Sequence, residues 1–462
     1  MLGFPVRGKI AHVFLSYPIL PERTSVKSPN FKLFHPGGWV MPTIGIIAEY
    51  NPFHSGHRHH IQTVRRAFGA DSAIVCAMSG NWVQRGQPAL ADKWTRAALA
   101  LAQGVDLVLE LPTLWAAASA EPFARGGVGL LAATGVVDIL SFGSEAGDLA
   151  PLQQAAHCLH SPAWKTELRR ALDKGLSFPA ARQAAATALL GSAADCLGQP
   201  NNNLGVEYLL AIRTLGAKLT PHTIPRLGAD HDQAERDETH ASASYLREKL
   251  LAGDEDLSPY LSHHAQKLLR ADPADFAYCP RAILARLRGM NETDFARLPD
   301  CGEGLSNRLS AAVQTAASLD ELYRQVQTKR YPLARIRRLI LWAFLGLTAA
   351  DRPAALPYLR ILGFTHRGQA LLRQMKTTAT LPVLVKPAHA AKLPAHAQQV
   401  FQLEARCTSL YDLCRRDFGK TAGKNEWTQN PVRRGLYNET IQQNTASFLR
   451  LRKNWLCFNL IF

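Results

Sequence analysis

The sequence predicts an α/β protein with a doubly wound, Rossmann-like parallel sheet, followed by a mainly α-helical C-terminal region. From residue 42 to about 230, short continuous apolar runs alternate with amphipathic helical segments. Continuous apolar strands are typical of a parallel sheet that is covered on both faces. From about residue 240 onward the strand signals fade and helical periodicity remains. Because crossovers in such a sheet are right-handed, we expect the ligand site at the carboxyl ends of the strands.

Five strands can be assigned in order along the first half. They are TIGIIAEY (43–50), SAIVCAMS (72–79), VDLVLELP (105–112), VDILSFGS (137–144) and AKLTPHTIPR (217–226). Each of the first three precedes an amphipathic helix, and these helices are HSGHRHHIQTVRRAFG (54–69), DKWTRAALALAQG (92–104) and SAEPFARGGVGLLAATG (119–135). In the second half, helical periodicity covers 241–253, 320–347, 367–375 and 396–418.

Positive charge is concentrated in the last third of the chain. The 462 residues include 53 Lys or Arg and 37 Asp or Glu, a net charge of +16. Residues 321–462 hold 23 Lys or Arg and 7 Asp or Glu, which accounts for the whole excess. This favours a polyanionic partner, RNA or DNA first and a membrane surface second. A basic domain without such a partner is the alternative.

Hydropathy and cysteine spacing exclude several classes of protein. No run of about 18 uncharged apolar residues occurs, so we expect no membrane span. The eight cysteines form no CxxC pair and no cluster with metal-ligand spacing, which favours reduced thiols in a cytoplasmic protein and no metal site. Residues 1–40 lack signal-peptide anatomy and Met41 directly precedes the first strand. We therefore expect residues 1–40 to be a wrongly assigned start or a disordered extension.

The motif His54-Ser55-Gly56-His57 lies where the first strand ends and the first helix begins. There the backbone N–H groups and the helix dipole favour an anion, and Gly56 lets a ligand approach the backbone. His54 and His57 lie one turn apart and can donate hydrogen bonds to the same phosphate. Nucleotidyl transfer depends on such positioning and charge stabilisation, without a nucleophilic side chain. The motif predicts a nucleoside triphosphate site; surface histidines, or a zinc site, are weaker alternatives.

Polar residues after the second strand predict a second-substrate site. Trp82 and Trp94 lie beside them in the sequence, and we expect both in the core rather than stacked on a base. Loop capping, with Asp92 as a helix N-cap, is the alternative reading of the polar set. Arg85 or Lys93 can pair with a carboxylate. The candidates for contacting the second substrate are Asn81, Gln84, Arg85, Asp92 and Lys93.

The basic stretch KRYPLARIRR (329–338) contains five cations in ten residues. Lys and Arg contact phosphate backbones, and Tyr331 is placed to stack on a base. The pairs Arg415–Arg416 and Arg433–Arg434 add further positive charge nearby in the sequence. The stretch predicts an RNA-binding surface, with a solvated helix face as the alternative.

Long blocks of the sequence carry a resemblance to a known family. They are GIIAEYNPFHSGH (45–57), residues 78–112, residues 119–148, QPNNNLGVEYL (199–209) and TIPRLGADHD (223–232). In this order they resemble the tRNA(Met) cytidine acetate ligase family of the HxGH nucleotidyltransferase superfamily, over roughly residues 42–440. The resemblance implies an HxGH nucleotidyltransferase-like ATP-binding domain over 41–250. It also implies a basic α-helical tRNA-binding region over 251–462.

The resemblance also implies an activity. The family activates acetate with ATP to acetyl-adenylate and releases diphosphate. It then transfers the acetyl group to N4 of the wobble cytidine of elongator tRNA(Met), without acetyl-coenzyme A. A Mg²⁺ ion that bridges phosphate oxygens is expected. Two alternatives stay open: a nucleotidyltransferase that adenylylates a small phosphorylated acceptor, and a non-catalytic RNA-binding protein with a structural nucleotide site.

The same resemblance assigns site residues, with His54 and His57 as the catalytic pair. Asn201 and Asn202 match the family's PNN element, and Asn203 replaces a usual apolar residue, so which amide contacts ATP is open; Asn202 is preferred. The start of a serine-rich helix that holds the triphosphate is matched by Ser242, Ser244 and Arg247. The predicted ATP-binding residues are Ile47, Ala48, Glu49, Tyr50, Asn51, Pro52, Phe53, His54, Ser55, Gly56, His57, Arg58, His59, His60, Gly143, Asn202 and Arg226.

Overall fold

The computed structural model describes residues 33–35, 38–226, 241–253, 256–418 and 425–434. Most of the predicted N-terminal extension lies outside these residues, as does the end of the chain after residue 434. The latter part of the block TIPRLGADHD, from residue 227 onward, also lies outside them.

Strands and helices alternate through the first half, as the sequence predicts. The strands are β1 (Leu33–His35), β2 (Gly38–Val40), β3 (Ile44–Ala48), β4 (Ile74–Ser79), β5 (Trp82–Val83), β6 (Gln87–Pro88), β7 (Leu107–Leu111), β8 (Ile139–Ser144), β9 (Thr220–Pro225), β10 (Leu359–Thr365), β11 (Val383–Leu384) and β12 (Val432–Arg434). The five strands assigned from the sequence correspond to β3, β4, β7, β8 and β9.

The helices occupy both halves of the chain. They are α1 (Ser55–Phe68), α2 (Lys93–Ala102), α3 (Thr113–Ala116), α4 (Ala120–Ala133), α5 (Leu149–His160), α6 (Pro162–Asp173), α7 (Phe178–Leu190), α8 (Pro200–Thr214), α9 (Ala243–Ala252), α10 (His263–Ala271), α11 (Pro280–Arg288), α12 (Glu292–Ala296), α13 (Leu305–Thr315), α14 (Leu319–Val326), α15 (Leu333–Leu345), α16 (His366–Thr378) and α17 (Ala395–Asp412). None of the described helices is both long and apolar enough to cross a membrane.

The main sheet has the strand order β11–β10–β7–β4–β3–β8–β9, and β12 also pairs with β10. The strands β7, β4, β3, β8 and β9 are parallel to one another. Along the chain this core order is third, second, first, fourth and fifth, the order of a Rossmann-like sheet. The order reverses between β3 and β8, and ligands bind at the carboxyl ends of strands beside such a reversal.

Burial on both faces explains why the central strands are continuously apolar. All six residues of β4 are buried. Val75 and Ala77 contribute to the apolar cluster that includes α4 and α8, whereas Ile74, Cys76 and Met78 contribute to the cluster that includes α1 and α2. Each large aliphatic side chain buried in this way contributes about 1.5–3 kcal/mol relative to exposure.

The C-terminal half contributes strands to the same sheet, which corrects the expectation that strands end near residue 240. The segment Leu359–Thr365 lies antiparallel to β7, and six of its seven residues are buried. Its sequence lacks the alternation of a half-exposed strand because both faces are covered, so periodicity could not distinguish it from a buried helix. The predicted helix over 320–347 is also two helices, because Pro332 immediately precedes a new start at Leu333.

Candidate active site

A cavity of about 280 Å³ lies at the carboxyl ends of β3, β8 and β9 and beside the start of α1. Five of the predicted ATP-binding residues do not line it, namely Pro52, Phe53, Ser55, Arg58 and Asn202. Phe53 packs against Tyr50 in the core, and Arg58 donates to Gln103 at 3.1 Å. The predicted residues that do line the cavity are Ile47, Ala48, Glu49, Tyr50, Asn51, His54, Gly56, His57, His59, His60, Gly143 and Arg226.

The two motif histidines cap α1 reciprocally. The Nδ1 atom of His54 accepts the backbone N–H of Gly56 at 3.1 Å. In return, Nδ1 of His57 accepts the backbone N–H of His54 at 3.2 Å, and the two ring centroids lie 4.0 Å apart. An imidazole whose Nδ1 accepts a hydrogen bond carries its proton on Nε2 when it is neutral. Both rings therefore present an Nε2–H donor on the side away from the backbone of the helix start.

Gly56 lines the cavity and also leaves room for the His54 ring. A Cβ at Gly56 would lie 2.9 Å from Cε1 and 3.1 Å from Nδ1 of His54. The first of these separations is closer than side-chain atoms tolerate. The glycine thus allows the His54 ring to fold back over the first turn and accept the N–H there.

Burial favours the neutral forms of His57 and His60. Burial, followed by the positive charges of His54, Arg226 and His60, lowers the pKa of His57 well below its ordinary value. Burial and then the neighbouring His222 lower the pKa of His60 to about 3. His60 Nε2 contacts Ser141 Oγ at 2.8 Å, and this hydroxyl contacts His222 Nδ1 at 3.1 Å.

This burial predicts a stability that falls in acid. The unfolded chain protonates His60 at its ordinary pKa of about 6.5, whereas the folded protein keeps it neutral down to about pH 3. Between these values its contribution favours unfolding by about 1.4 kcal/mol per pH unit, or about 2 kcal/mol from pH 7.5 to pH 5. We expect His60→Gln to reduce the loss of unfolding free energy over this interval by that amount, measured by urea denaturation. His160→Gln, which changes an exposed histidine of α5, is the control, and an equal reduction there would contradict the expectation.

The start of α8 and the end of β9 form one wall of the cavity. Glu145 accepts the backbone N–H groups of Asn201 at 3.0 Å and Asn202 at 2.8 Å, which fixes the first turn of the helix. In this arrangement Asn201 lines the cavity and its Oδ1 accepts from Arg226 at 2.7 Å. Asn202 is buried and donates to Gln199 at 2.8 Å, while Asn203 is held by Arg182 at 2.8 Å. The position of Asn201, rather than that of Asn202, suits contact with a ligand.

The start of α9 also faces this cavity. The Ser242 hydroxyl caps α9 by accepting the Tyr245 N–H at 3.1 Å. Arg247 donates to the Asn51 carbonyl at 2.8 Å and to Ser244 Oγ at 3.0 Å. Ser242, Ser244 and Arg247 all line the cavity, as the sequence analysis expected. The N-termini of α1, α8 and α9, together with Arg226 and Arg247, give the cavity the character of an anion site.

Apolar residues that the sequence analysis missed form the remaining walls. Leu204 and Tyr208 lie on α8 at three and seven positions after Asn201, so that all three share one face of the helix. Phe142 and Ile224 come from β8 and β9. The helical spacing from Asn201 and the position at strand ends were the available signals. Such walls suit a planar, largely apolar group such as a purine base.

The polar residues after β4 divide into structural and accessible groups. Asp92 caps α2 and pairs with Arg415, at 2.8 Å and 3.1 Å respectively. Asn81 Oδ1 accepts the Lys93 N–H at 2.9 Å. The Gln84 N–H donates to Glu49 at 2.8 Å. Of the five candidates for the second substrate, Arg85 is the one that is exposed and also lines the cavity.

Lys93 belongs to a buried charge cluster, so the expectation that it binds a substrate carboxylate is wrong. Its side chain is 1% exposed, lies 2.6 Å from Glu110 and forms a second ion pair with Glu426. Glu426 also accepts from Arg360 at 3.2 Å. Burial opposes the charge, but Glu110, Glu426 and Glu404 together raise the pKa of Lys93. The ammonium group of Lys93 is bound by Glu110 and Glu426 and is therefore not available to a substrate carboxylate.

Trp82 occupies the predicted core position, and Tyr331 and Arg415, which were candidates for RNA contact, have structural roles. Trp82 is fully buried and donates to the Cys407 carbonyl at 3.1 Å, and Trp94 is partly buried. Tyr331 is 8% exposed and donates to the Glu303 carbonyl, so it does not present its ring for stacking. Arg415 is held by three aspartates. Arg433 remains exposed and lies over the Phe364 ring at 5.6 Å.

A Rossmann-like sheet whose first strand leads into an HxGH helix start, beside an anion-binding cavity, defines a nucleotidyltransferase of the HxGH class. A family model described as HIGH Nucleotidyl Transferase matches residues 41–426. The tRNA(Met) cytidine acetate ligase of Acetivibrio thermocellus is 34% identical over 415 residues, which cover 85% of this chain and 100% of that protein. The ligase of the same name from Syntrophomonas wolfei is 36% identical over 85% of this chain and 99% of its own length.

Solved structures agree with these relatives. The apo crystal structure of Thermotoga maritima TmcAL superposes with a TM-score of 0.81 at 30% sequence identity, covering 86% of this chain and 100% of that chain. The form bound with alpha-thio ATP gives a TM-score of 0.79. The chain belongs to the tRNA(Met) cytidine acetate ligase family of the HIGH nucleotidyltransferases.

Proposed function

We propose that the chain is an ATP-dependent ligase that acetylates N4 of the wobble cytidine of elongator tRNA(Met), with acetate as the acetyl donor. The observation that carries the proposal is the pair of Nε2–H donors that His54 and His57 present at the cavity. The starts of α8 and α9 also border this cavity. The names of the relatives, and the alpha-thio ATP bound to a similar protein, support the same reading.

The proposed first step joins acetate to the nucleotide. A carboxylate oxygen of acetate attacks the α-phosphorus of ATP, a new O–P bond forms, and the P–O bond to diphosphate breaks. His54 and His57 donate hydrogen bonds to the phosphate oxygens on which charge increases. Ser242, Ser244 and Arg247 hold the diphosphate part at the start of α9. No proton transfer is needed, because the nucleophile is already a carboxylate.

The proposed second step transfers the acetyl group. The exocyclic amine of the cytosine attacks the acetyl carbonyl, a C–N bond forms, and the C–O bond to the phosphate of AMP breaks. The amine loses one proton, and AMP leaves with the electron pair. Asn201 and Arg226 hold the nucleotide in place through both steps. Arg85, which is exposed at the edge of the cavity, is the cation that we assign to the acetate carboxylate.

The cavity also suits a Mg²⁺ ion held mainly by the substrate. Among the described residues, no group of three or more His, Cys, Asp or Glu side chains could hold a metal by itself. Mg²⁺ prefers phosphate oxygens and water with one or two carboxylates, and Glu49 is an acidic residue that lines the cavity. Glu49 would hold the ion through that carboxylate. When bound, the ion would neutralise charge on the departing diphosphate.

The basic C-terminal region is the part that we assign to the tRNA. Residues 321–462 carry the whole excess of positive charge, and a polyanion is its natural partner. We assign the protein to the cytoplasm, where this substrate occurs, and the thiols of the described cysteines are free, as the reducing conditions there require.

The test is an incubation of the purified protein with ATP, radiolabelled acetate and total tRNA, followed by digestion to nucleosides. We expect ATP-dependent label in N4-acetylcytidine. If no label appears although ATP still binds tightly, one of the two alternatives replaces this function. Acetate-dependent exchange between ATP and diphosphate tests the first step separately.

The position of Asn201 predicts which amide contacts ATP. We expect Asn201→Ala to raise the KM for ATP roughly fivefold to tenfold, because one hydrogen bond to the nucleotide and the partner of Arg226 are lost. Asn202→Ala should instead lower the melting temperature, because its side chain bonds Gln199 and the Glu145 N–H inside the protein. Steady-state kinetics and thermal denaturation of both variants check this. The assignment fails if the KM rises only in the Asn202 variant.

A further inference from the structure

A second cavity of about 250 Å³ adjoins the nucleotide cavity. Both are lined by Arg85, Gln87, Ser244 and Arg247, so the two spaces meet at the hairpin β5–β6 and the start of α9. The volume is slightly below the roughly 300–1,000 Å³ of whole small-molecule sites. A space of this size has room for a single base. Its apolar walls are Pro88, Leu90, Leu251, Ala274 and Phe276.

A glycine holds the hairpin against α15 and so fixes one side of this cavity. Gly86 has a φ of +74°, and a Cβ there would lie 2.4 Å from the Arg338 nitrogen and 2.5 Å from the Arg337 carbonyl carbon. Backbone approach of this kind excludes any other residue. It brings Arg85 and Arg337, from distant parts of the sequence, to the same cavity.

Asp275 supplies a carboxylate in this otherwise cationic space. Its Oδ1 accepts the Ala277 N–H at 2.8 Å, and its own N–H donates to the Cys414 carbonyl at 2.7 Å. The neighbouring Ala274 N–H donates to the Leu90 carbonyl at 2.9 Å. The segment is therefore anchored on both sides, and the carboxylate is half-buried among arginines. A carboxylate repels phosphate, so the cavity suits a ligand that carries donors as well as acceptors.

Arg337 offers donors to the same space. Its guanidinium lies over the Tyr323 ring at 5.5 Å, which orients the plane of the group. Within the part of the chain that the structure describes, its Nε is buried and has no hydrogen-bond partner. Arg337 also lines the cavity, and its guanidinium carries further N–H donors besides the buried Nε.

These features match the Watson–Crick edge of cytosine, which has an amine donor at N4 and acceptors at N3 and O2. We propose that this second cavity receives the acceptor base of the RNA, with Asp275 accepting from the N4 amine and Arg337 donating to the ring acceptors. The inference rests on the proposed function and adds where the base binds and how it is selected. Uracil has a carbonyl at position 4 in place of the amine, so an acceptor would face the Asp275 carboxylate, and its N3–H would face the Arg337 donors.

Asp275→Asn is the variant that tests the proposal. Its Oδ1 still accepts the Ala277 N–H, so the loop keeps its anchor, but an amide N–H₂ then opposes the cytosine amine. We expect transfer of acetate to elongator tRNA(Met) to fall about 10- to 100-fold in kcat/KM. Acetate-dependent ATP–diphosphate exchange should stay within about twofold of the parent, since the nucleotide cavity is unchanged. Asp173→Asn, at an exposed carboxylate of α6 that lines neither cavity, is the control.

A binding measurement separates base selection from catalysis. We expect the parent protein to bind an anticodon stem-loop with cytidine at the wobble position more tightly than the same stem-loop with uridine, measured by fluorescence anisotropy. Asp275→Asn should abolish this preference, and Arg337→Gln should weaken binding of the cytidine form. Equal affinities of the parent protein for both stem-loops would overturn the proposal.

The exchange assay identifies which claim has failed. Exchange that falls together with transfer in Asp275→Asn would overturn the proposal and assign the cavity to the departing diphosphate. Normal transfer in this variant would also overturn it. If the parent protein shows no acetate-dependent exchange at all, the proposed function itself fails, and the base site fails with it.

Discussion

Replacing both motif histidines should abolish activation of acetate without unfolding the protein. In the variant His54→Asn, His57→Gln, asparagine is a good N-cap and glutamine suits the third helical position, so the reciprocal cap of α1 can persist. Both imidazole rings are lost, and the amide N–H₂ groups that replace them are shorter and donate from different positions than the two Nε2–H groups. Removal of one preorganised donor costs about 10²–10³ in rate, so we expect ATP–diphosphate exchange to fall at least about 10³-fold.

Two measurements make this expectation specific. The melting temperature should change by only a few degrees, which shows that the cap has been kept. The matched control His160→Gln changes an exposed histidine of α5 and should keep full exchange activity. Full exchange in the double variant would contradict a role of either ring in phosphate chemistry. A large fall in melting temperature would show that the histidines act first as structural caps.

Removing Glu426 should cause the largest loss of stability among the substitutions considered. Burial and the negative charge of Glu110 raise the pKa of Glu404 to about 8, so this side chain is largely protonated at neutral pH. The cations Lys93 and Arg360 outweigh burial and lower the pKa of Glu426, which is therefore ionised. Burial raises the pKa of Glu110, and Lys93 opposes this; with Glu110 ionised in its 2.6 Å ion pair with Lys93, the cluster holds two charges of each sign. Glu426→Gln leaves one buried positive charge uncompensated, which costs about 3–5 kcal/mol.

A second substitution distinguishes charge imbalance from loss of packing. The double variant Lys93→Met, Glu426→Gln leaves Arg360 and Glu110 as one charge of each sign, and we expect it to recover at least half of the lost unfolding free energy. Urea denaturation of both variants measures this. The exposed ion pair Arg169–Asp173 provides the control, since Asp173→Asn should cost less than about 1 kcal/mol. Equal losses in the single and double variants would contradict the charge-balance account.

The cluster also explains why the last described segment belongs to the sheet. Glu426 precedes β12, and its carboxylate joins Lys93 of α2 to Arg360 of β10. Arg360 further donates to the Gln429 carbonyl at 3.2 Å and the Val385 carbonyl at 3.0 Å. The C-terminal strands are thus fastened to the nucleotide-binding half by buried charges as well as by the β7–β10 pairing. We expect loss of Glu426 to disturb this edge of the sheet before the nucleotide cavity.

The sequence predicted what depends on local pattern. The strands β3, β4, β7, β8 and β9 are short, buried and followed by helices with apolar stripes, so their periodicity identified them. The HxGH motif at a strand-to-helix junction predicted a phosphate site, and the structure forms a cavity lined by both histidines there. Sequence periodicity missed β10, because a buried apolar run of seven residues with a paired arginine resembles a buried helix turn.

Only the tertiary structure decided which polar side chains are available to a ligand. Lys93, Asp92 and Arg85 occur within nine residues of one another, yet two are held by buried or partly buried partners and one is exposed at the cavity. Asp275 carries no local signal, and Arg337 is one of five cations in the stretch 329–338. Both meet Arg85 only because Gly86 allows the hairpin to touch α15. A sequence specifies periodicity and helix caps through near neighbours. Which charge is neutralised depends on residues hundreds of positions away, and folding alone brings these together.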